Sequence, residues 1–438
     1  MMTEHVNVRE LVMGVLLSVT RDGEYSHIAL KNTLDKYQYL SKQERSFITR
    51  VCQGTLEHMI WIDYCINQFS TVKINKMKPV IRTILRSSVY ELKFMDSVPV
   101  SATVNEAVKL AAKKGFQNLK GFVNGVLRNI SRSLDQIKLP DPATEYRDYL
   151  SVRYSMPEWI VGQLLEQYEK ERTEQILAAF LADTETCIRV NEARISREEL
   201  KKRLGLEGVT VQEDPEFPQG LFLSDYDHLE GLKSFQQGLF YVQDVSSMQV
   251  ALSSGVKEGD YVLDVCAAPG GKSIHMAELL NGTGMVEARD LTPYKVGLIQ
   301  ENIFRCGLSN IRTAQADARV LRQEDVGTAD IVIADLPCSG LGVIGKKADI
   351  KYKMTPEKQK ELILLQRDIL DVVSRYVKAG GTLMYSTCTV NREENEDNVQ
   401  WFLRSHKDFY LEEARQLLPK AGKQDGFFLA RIKKEEHA

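Results

Sequence analysis

The strongest constraint on this chain is the alternation of short apolar runs with helical stripes between Tyr261 and Tyr385. Tyr261-Val262-Leu263-Asp264-Val265, Met285-Val286-Glu287-Ala288, Ile331-Val332-Ile333-Ala334 and Thr382-Leu383-Met384-Tyr385 have the length and content of buried strands. Between the last two, Leu362, Leu365, Ile369, Leu370, Val373 and Val377 recur at helical spacing after Thr355-Pro356, and Gly380-Gly381 is expected to end that helix. Strands and helices that alternate in this way predict a parallel, doubly wound α/β sheet. Such sheets bind ligands beyond the carboxyl ends of their strands, near the reversal in strand order. The residues at those ends therefore decide the chemistry.

Four groups stand there. Cys266-Ala267-Ala268-Pro269-Gly270-Gly271-Lys272 follows the first strand and opens a helix, where small residues let a ligand approach the backbone and the helix N-terminus favours an anion. With Ser273 it nearly spells a phosphate-binding P-loop, but Cys266 stands where that pattern needs glycine. Asp290 ends the second strand, a common place for an acid that holds ribose hydroxyls, and Asp317 follows the third, where a carboxylate can accept from an adenine amino group. Each acid alone is as well read as a loop cap. Together with the loop they describe an adenosine-containing ligand.

The fourth group is the most specific. Asp335-Leu336-Pro337-Cys338-Ser339-Gly340 ends the fourth strand and Ser386-Thr387-Cys388-Thr389 the fifth, which puts two cysteines at strand tips. Asn391 and Glu394 read as a helix cap that would favour a thiolate nearby. Cys52, Cys65, Cys187 and Cys306 read as packing. A thiolate here suits methylation of a pyrimidine at carbon 5, a poor nucleophile until a thiolate adds at carbon 6 and makes the ring an enamine. An acid must then hold the ring edge, a role for Asp335.

The rest of the chain differs in texture. Residues 1–132 hold 19 lysines and arginines against 11 acids, residues 133–234 hold 12 against 21, and residues 235–438 hold 26 against 28. A basic end on a near-neutral chain suggests a polyanion-binding module carried by other domains. Leu11, Val12, Val15, Leu16 and Val19 share a helix face, Pro79 opens a helix, and Thr103 with Glu106 reads as a capping box, so residues 1–132 are expected to be all-helical. Leu139-Pro140-Asp141-Pro142 marks a linker. Beyond it, residues 145–234 read as a small helical plus α/β domain, with a helix from a Ser155–Glu158 cap through about Leu181 and short strands around Cys187–Val190, Val209–Val211 and Leu221–Leu223. Residues 235–438 are the α/β domain.

No apolar stretch near the start is long enough to span a bilayer, and no cysteines lie at CxxC spacing. The expectation is a soluble cytoplasmic protein with reduced cysteines and no metal.

The stretches LDVCAAPGGKS at 263–273, DLPCSGLGV at 335–343, YSTCTVNREEN at 385–395 and DGFFLARIKK at 425–434 resemble the RNA cytosine-5 methyltransferases. The whole chain resembles the bacterial RsmB (Sun/Fmu) family of small-subunit rRNA enzymes, whose N-terminal NusB-like domain residues 1–132 match in helical pattern, basic charge and VNGVLRNI at 123–130. The resemblance implies a NusB-like RNA-binding domain, a small RNA-positioning α+β domain and a Rossmann-like catalytic domain. It implies S-adenosylmethionine as methyl donor, its amino-acid part against residues 266–272, its ribose on Asp290 and its adenine near Asp317. It also implies 16S rRNA as partner, free or in an early small-subunit particle, with cytosine 967 as the target and no obligate protein partner. Cys388 would be the nucleophile, Cys338 would assist proton removal or product release, Asp335 would hold the base and Lys272 would help orient it. The residues alone leave the two cysteine roles open, because DNA cytosine methyltransferases use the Pro-Cys cysteine.

One stretch departs from the pattern. Relatives read close to Arg-Arg-Asn-Pro-Asp-Ile-Lys-Trp where this chain has Gly345-Lys346-Lys347-Ala348-Asp349-Ile350-Lys351-Tyr352, so an arginine fork suited to phosphate is replaced by lysines. Two other readings compete with methyl transfer. A P-loop-like nucleotidase rests on Gly270-Gly271-Lys272-Ser273, and a non-enzymatic RNA-binding factor rests on the basic helical end. The first lacks a glycine at 266, and the second leaves Cys338 and Cys388 without a role.

Overall fold

The computed structural model describes residues 6–436. The chain divides into two compact units. One runs to Leu181 and takes in Lys346–Lys353; the other holds Ala182–Gly345 and the residues from Met354 on.

The first unit is helical, as its periodicity predicts. Helices Val8–Thr20, Ser26–Lys36, Lys42–Glu57, Met59–Phe69, Pro79–Phe94, Val100–Lys113 and Lys120–Ser133 enclose one core in which Ile48, Leu85 and Leu127 are fully buried. Pro79 takes the first-turn position where its missing N–H costs nothing. The Thr103–Glu106 capping box does not form. The helix already begins at Val100, and Thr103 is a buried residue whose hydroxyl donates to Glu91, which also pairs with Arg9. Nor does Ser155 cap a helix: its hydroxyl accepts from Ile60 N, and the helix behind it breaks into Glu158–Gln167 and Lys170–Leu181.

Residues 346–353 belong to this unit. Asp349 accepts from the amide and hydroxyl of Ser26, Lys351 donates from a buried ammonium to Glu57 O at 2.7 Å, and Tyr352 donates to Leu56 O. Burial brings Lys351 down to about 7. Asp349, Lys351 and Tyr352 of the departing stretch are thus built into the packing of the helical unit, while Lys346 and Lys347, which replace the arginine fork of relatives, are exposed.

The second unit contains two sheets. Strands β1 (Thr186–Val190), β2 (Thr210–Gln212), β3 (Leu221–Ser224) and β4 (Phe240–Val242) form an antiparallel sheet in the order β2-β3-β1-β4. Strands β5 (Tyr261–Asp264), β6 (Met285–Asp290), β7 (Ile311–Gln315), β8 (Ala329–Asp335), β9 (Val377–Thr387), β10 (Phe409–Leu417) and β11 (Phe427–Lys434) form the other, in the order β10-β11-β9-β8-β5-β6-β7. Pairings from β9 through β7 are parallel, while β10 and β11 run antiparallel, so the sheet is mixed where sequence periodicity suggested a parallel one. The strand order reverses between β5 and β8. A crevice at their carboxyl ends is the expected ligand site.

Gly380-Gly381 does not end the preceding helix. The helix Pro356–Val373 stops earlier, and both glycines lie within β9. A Cβ at Gly381 would come within 3.0 Å of two backbone oxygens, so this strand passes too close to its neighbours for any side chain there.

Candidate active site

Each sequence-predicted group lies at a strand end around the β5/β8 reversal. The segment 266–272 leaves β5 and turns into the helix Gly271–Leu279. Gly270 caps that helix with φ 109°, a left-handed conformation that glycine tolerates, and a Cβ on Gly271 would approach the Tyr241 ring to 2.9 Å. Tyr241 donates from its hydroxyl to Pro269 O, which pins the loop. Burial pushes the Cys266 thiol up, so it serves as neutral packing.

Asp290 is almost fully buried at the end of β6. It accepts from Ala268 N at 3.0 Å and Leu291 N at 2.7 Å, and pairs with Lys295. Asp317 lies beyond β7 and is more open. Its carboxylate caps Arg319 N and pairs with the Arg319 guanidinium at 2.7 Å, which holds it below the usual carboxylate range. Asp264, at the tip of β5, accepts from Ser273 Oγ at 2.6 Å, and its second oxygen is buried without a partner. Burial pushes this carboxyl up to about 7. The cradle at Gly270-Gly271, the orphaned Asp264 oxygen, the helix N-terminus and the Asp290 carboxylate together fit a small adenosine-bearing ligand with an amino-acid end.

The reacting groups converge from β8 and β9. Cys338 Sγ and Cys388 Sγ are 3.3 Å apart. The contact with Cys388, then burial, pushes the Cys338 thiol well up. Asp335 pairs with Lys272 Nζ at 2.7 Å and accepts from Ser386 Oγ at 2.8 Å. Burial works against the Lys272 charge, but Asp335, with further attraction from Asp264 and Cys388, holds its ammonium above the usual range. Lys272 also lies over the Phe427 ring at 5.3 Å. A P-loop lysine must be free to reach phosphates; this one is committed to a carboxylate.

Sequence reading missed what holds the two cysteine loops together. Asn391 and Glu394 do not cap a helix, since the next one begins at Glu396. Glu394 is fully buried and accepts four hydrogen bonds, from Ser339 N, Ser339 Oγ, Gln366 Nε2 and Asn391 Nδ2, at 2.5–3.1 Å. Burial pushes its carboxyl up against these bonds. Glu394→Gln sets an NH2 group against existing donors and is expected to lower unfolding stability by about 2–3 kcal/mol, read from the urea midpoint. An unchanged midpoint would show that the network does not carry the loops. The spacing of Asn391 and Glu394 was visible in sequence, but not that the carboxylate reaches back to the loop after Cys338.

A second clamp is backbone on backbone. Gly342 N donates to Cys388 O at 3.0 Å and Gly426 N to Gly342 O at 2.8 Å, and a Cβ on Gly342 would lie 1.9 Å from Gly426 O. The three motif segments around Cys338, Cys388 and Phe427 are therefore locked into one constellation. Among the described residues no cluster of metal-ligating side chains occurs, and no helix is long and apolar enough to cross a membrane.

Known proteins are similar to this chain. The family model for 16S rRNA methyltransferase RsmB/F matches residues 251–433, that of the NusB family residues 6–132, and that of the RsmF/B-like ferredoxin-like domain residues 156–227. The "Probable ribosomal RNA small subunit methyltransferase B" of Bacillus subtilis (strain 168) is 35% identical over 98% of this chain and 99% of its own length. The crystal structure of PH0851 is 26% identical, covers 98% of both chains and superposes with a TM-score of 0.82. That of NSun6 from Pyrococcus horikoshii with SFG is 26% identical, covers 66% of this chain and 98% of its own, with a TM-score of 0.56. With a NusB domain, a ferredoxin-like domain and a methyltransferase domain in one chain, this protein belongs to the RsmB/F family of S-adenosylmethionine-dependent 16S rRNA methyltransferases.

Proposed function

We propose that this protein methylates carbon 5 of a cytosine in 16S rRNA, with cytosine 967 as the expected target, through a covalent bond between Cys388 and carbon 6. The observation that carries this reading is the pair of thiols 3.3 Å apart beside the Lys272–Asp335 ion pair. S-adenosylmethionine, when bound, supplies an electrophilic methyl group. Residues 266–272, Asp290 and Asp317 are assigned to hold it.

Cys388 Sγ adds to carbon 6, and the electron pair this pushes into the ring makes carbon 5 nucleophilic. Asp335, fixed by Lys272 and Ser386, holds the polar edge of the base as charge develops. After carbon 5 gains the methyl group, its proton must leave and the carbon–sulfur bond must break. Cys338, 3.3 Å away, assists this step in its thiolate form: it accepts the carbon-5 proton, and the electron pair of that C–H bond restores the ring double bond and expels the Cys388 sulfur. The target base has to be unpaired or flipped to reach thiols this far inside the crevice.

The test is methyl transfer from labelled S-adenosylmethionine to unmodified small-subunit rRNA, free and in small-subunit particles, with nucleoside mass spectrometry and site mapping. 5-Methylcytidine at one site is the expected product. Label in any other nucleoside would overturn the carbon-5 assignment.

A further inference from the structure

We propose that a cavity in the helical unit binds a backbone phosphate of the RNA substrate, with the Arg82 guanidinium as its anchor. The proposal rests on the proposed function, in which the substrate is RNA. The cavity has a volume of about 380 Å³, and its polar wall includes Arg21, Arg82, Arg86, Asp349 and Lys353. Most of these charges are already matched. Arg21 pairs with Asp22, Arg86 binds Asp63 through two bonds of 2.6–2.7 Å, and Lys353 pairs with Asp349 at 2.9 Å. Arg82 is the exception: its Nε is shielded from solvent with no hydrogen-bond partner.

Arg82 and Arg86 sit four residues apart on the helix Pro79–Phe94, so two guanidiniums share one face. Burial, then the Arg86 charge, lowers the Arg82 pKa against a weaker attraction from Asp63, so the protein as it stands disfavours the charge it carries. A half-buried guanidinium without a partner costs stability unless an anion completes it. A phosphodiester is such an anion, since its oxygens match the guanidinium fork. The net excess of 8 positive charges over residues 1–132, from 19 basic and 11 acidic residues, favours a polyanion as the source. Lys353, just beyond the stretch that departs from the family pattern, also lines this cavity, with its ammonium paired to Asp349.

The experiment titrates the full-length protein with unmodified small-subunit rRNA at several KCl concentrations. Arg82→Gln is expected to bind about tenfold more weakly and to lower the slope of log K against log[salt] by about one. Arg82→Lys should keep most of that slope, and the loss should appear in the KM for RNA. Because the guanidinium lacks a partner, Arg82→Gln should melt no lower than the parent. An unchanged affinity and slope in Arg82→Gln, with the parent protein binding RNA, would overturn the phosphate site alone. A parent protein that binds no small-subunit rRNA would take down the RNA reading and this site with it. Inorganic phosphate bound by the parent and lost in Arg82→Gln, with RNA affinity unmoved, would reassign the cavity to a free phosphate and overturn the proposal.

Discussion

Replacing Cys388 by alanine is expected to abolish formation of 5-methylcytidine, a loss of about 10⁴-fold or more. Nothing else among the described residues at the tip of β9 offers a nucleophile for carbon 6, and without that bond carbon 5 stays unreactive. The fold should survive, because the change removes one sulfur from a loop held by Glu394 and by the Gly342–Gly426 clamp. S-adenosylmethionine binding should also survive, since residues 266–272 and Asp290 are untouched. Equilibrium dialysis with labelled S-adenosylmethionine separates this outcome from misfolding. Continued production of 5-methylcytidine by the variant would hand the nucleophile role to Cys338.

Replacing Cys338 by alanine should have the opposite signature. Addition at carbon 6 and methylation proceed, but release slows by about 10²–10⁴-fold because the proton carrier 3.3 Å from Cys388 is gone. The arrested species is an RNA–protein adduct, seen as a slow band on a denaturing gel and dependent on S-adenosylmethionine. The double variant should show no adduct. An adduct in Cys388→Ala but not in Cys338→Ala would invert the two assignments.

Much of the fold was legible because it follows from periodicity. The helical first unit and the strands at Tyr261–Asp264, Met285–Asp290 and Ala329–Asp335 lie where apolar spacing put them, whereas β9 begins at Val377, which that spacing assigns to the preceding helix. The Thr355 cap and Pro79 at a helix start follow from local chemistry. The failures share a cause. Thr103, Ser155, Asn391 and Glu394 look like caps, yet each side chain is used by a partner far away in sequence or by a loop. Short polar side chains serve caps and long-range networks equally well. Gly380-Gly381 has the pattern of a helix stop but serves close strand packing.

The sequence by itself determined which chemistry is available. Thiols at 338 and 388, acids at 290, 317 and 335 and the glycine loop are matters of residue type and strand-end position, which alternating periodicity makes predictable. Tertiary structure alone decided how these groups act on one another. Only the reversal between β5 and β8 places Lys272 against Asp335, and only the pairing of β8 with β9 brings two sulfurs separated by 50 residues to 3.3 Å. The same holds for Arg82, whose lack of a partner is a property of the packed cavity. Pair distances, burial and the pKa shifts they cause depend on non-local packing, and local sequence pattern carries no record of it.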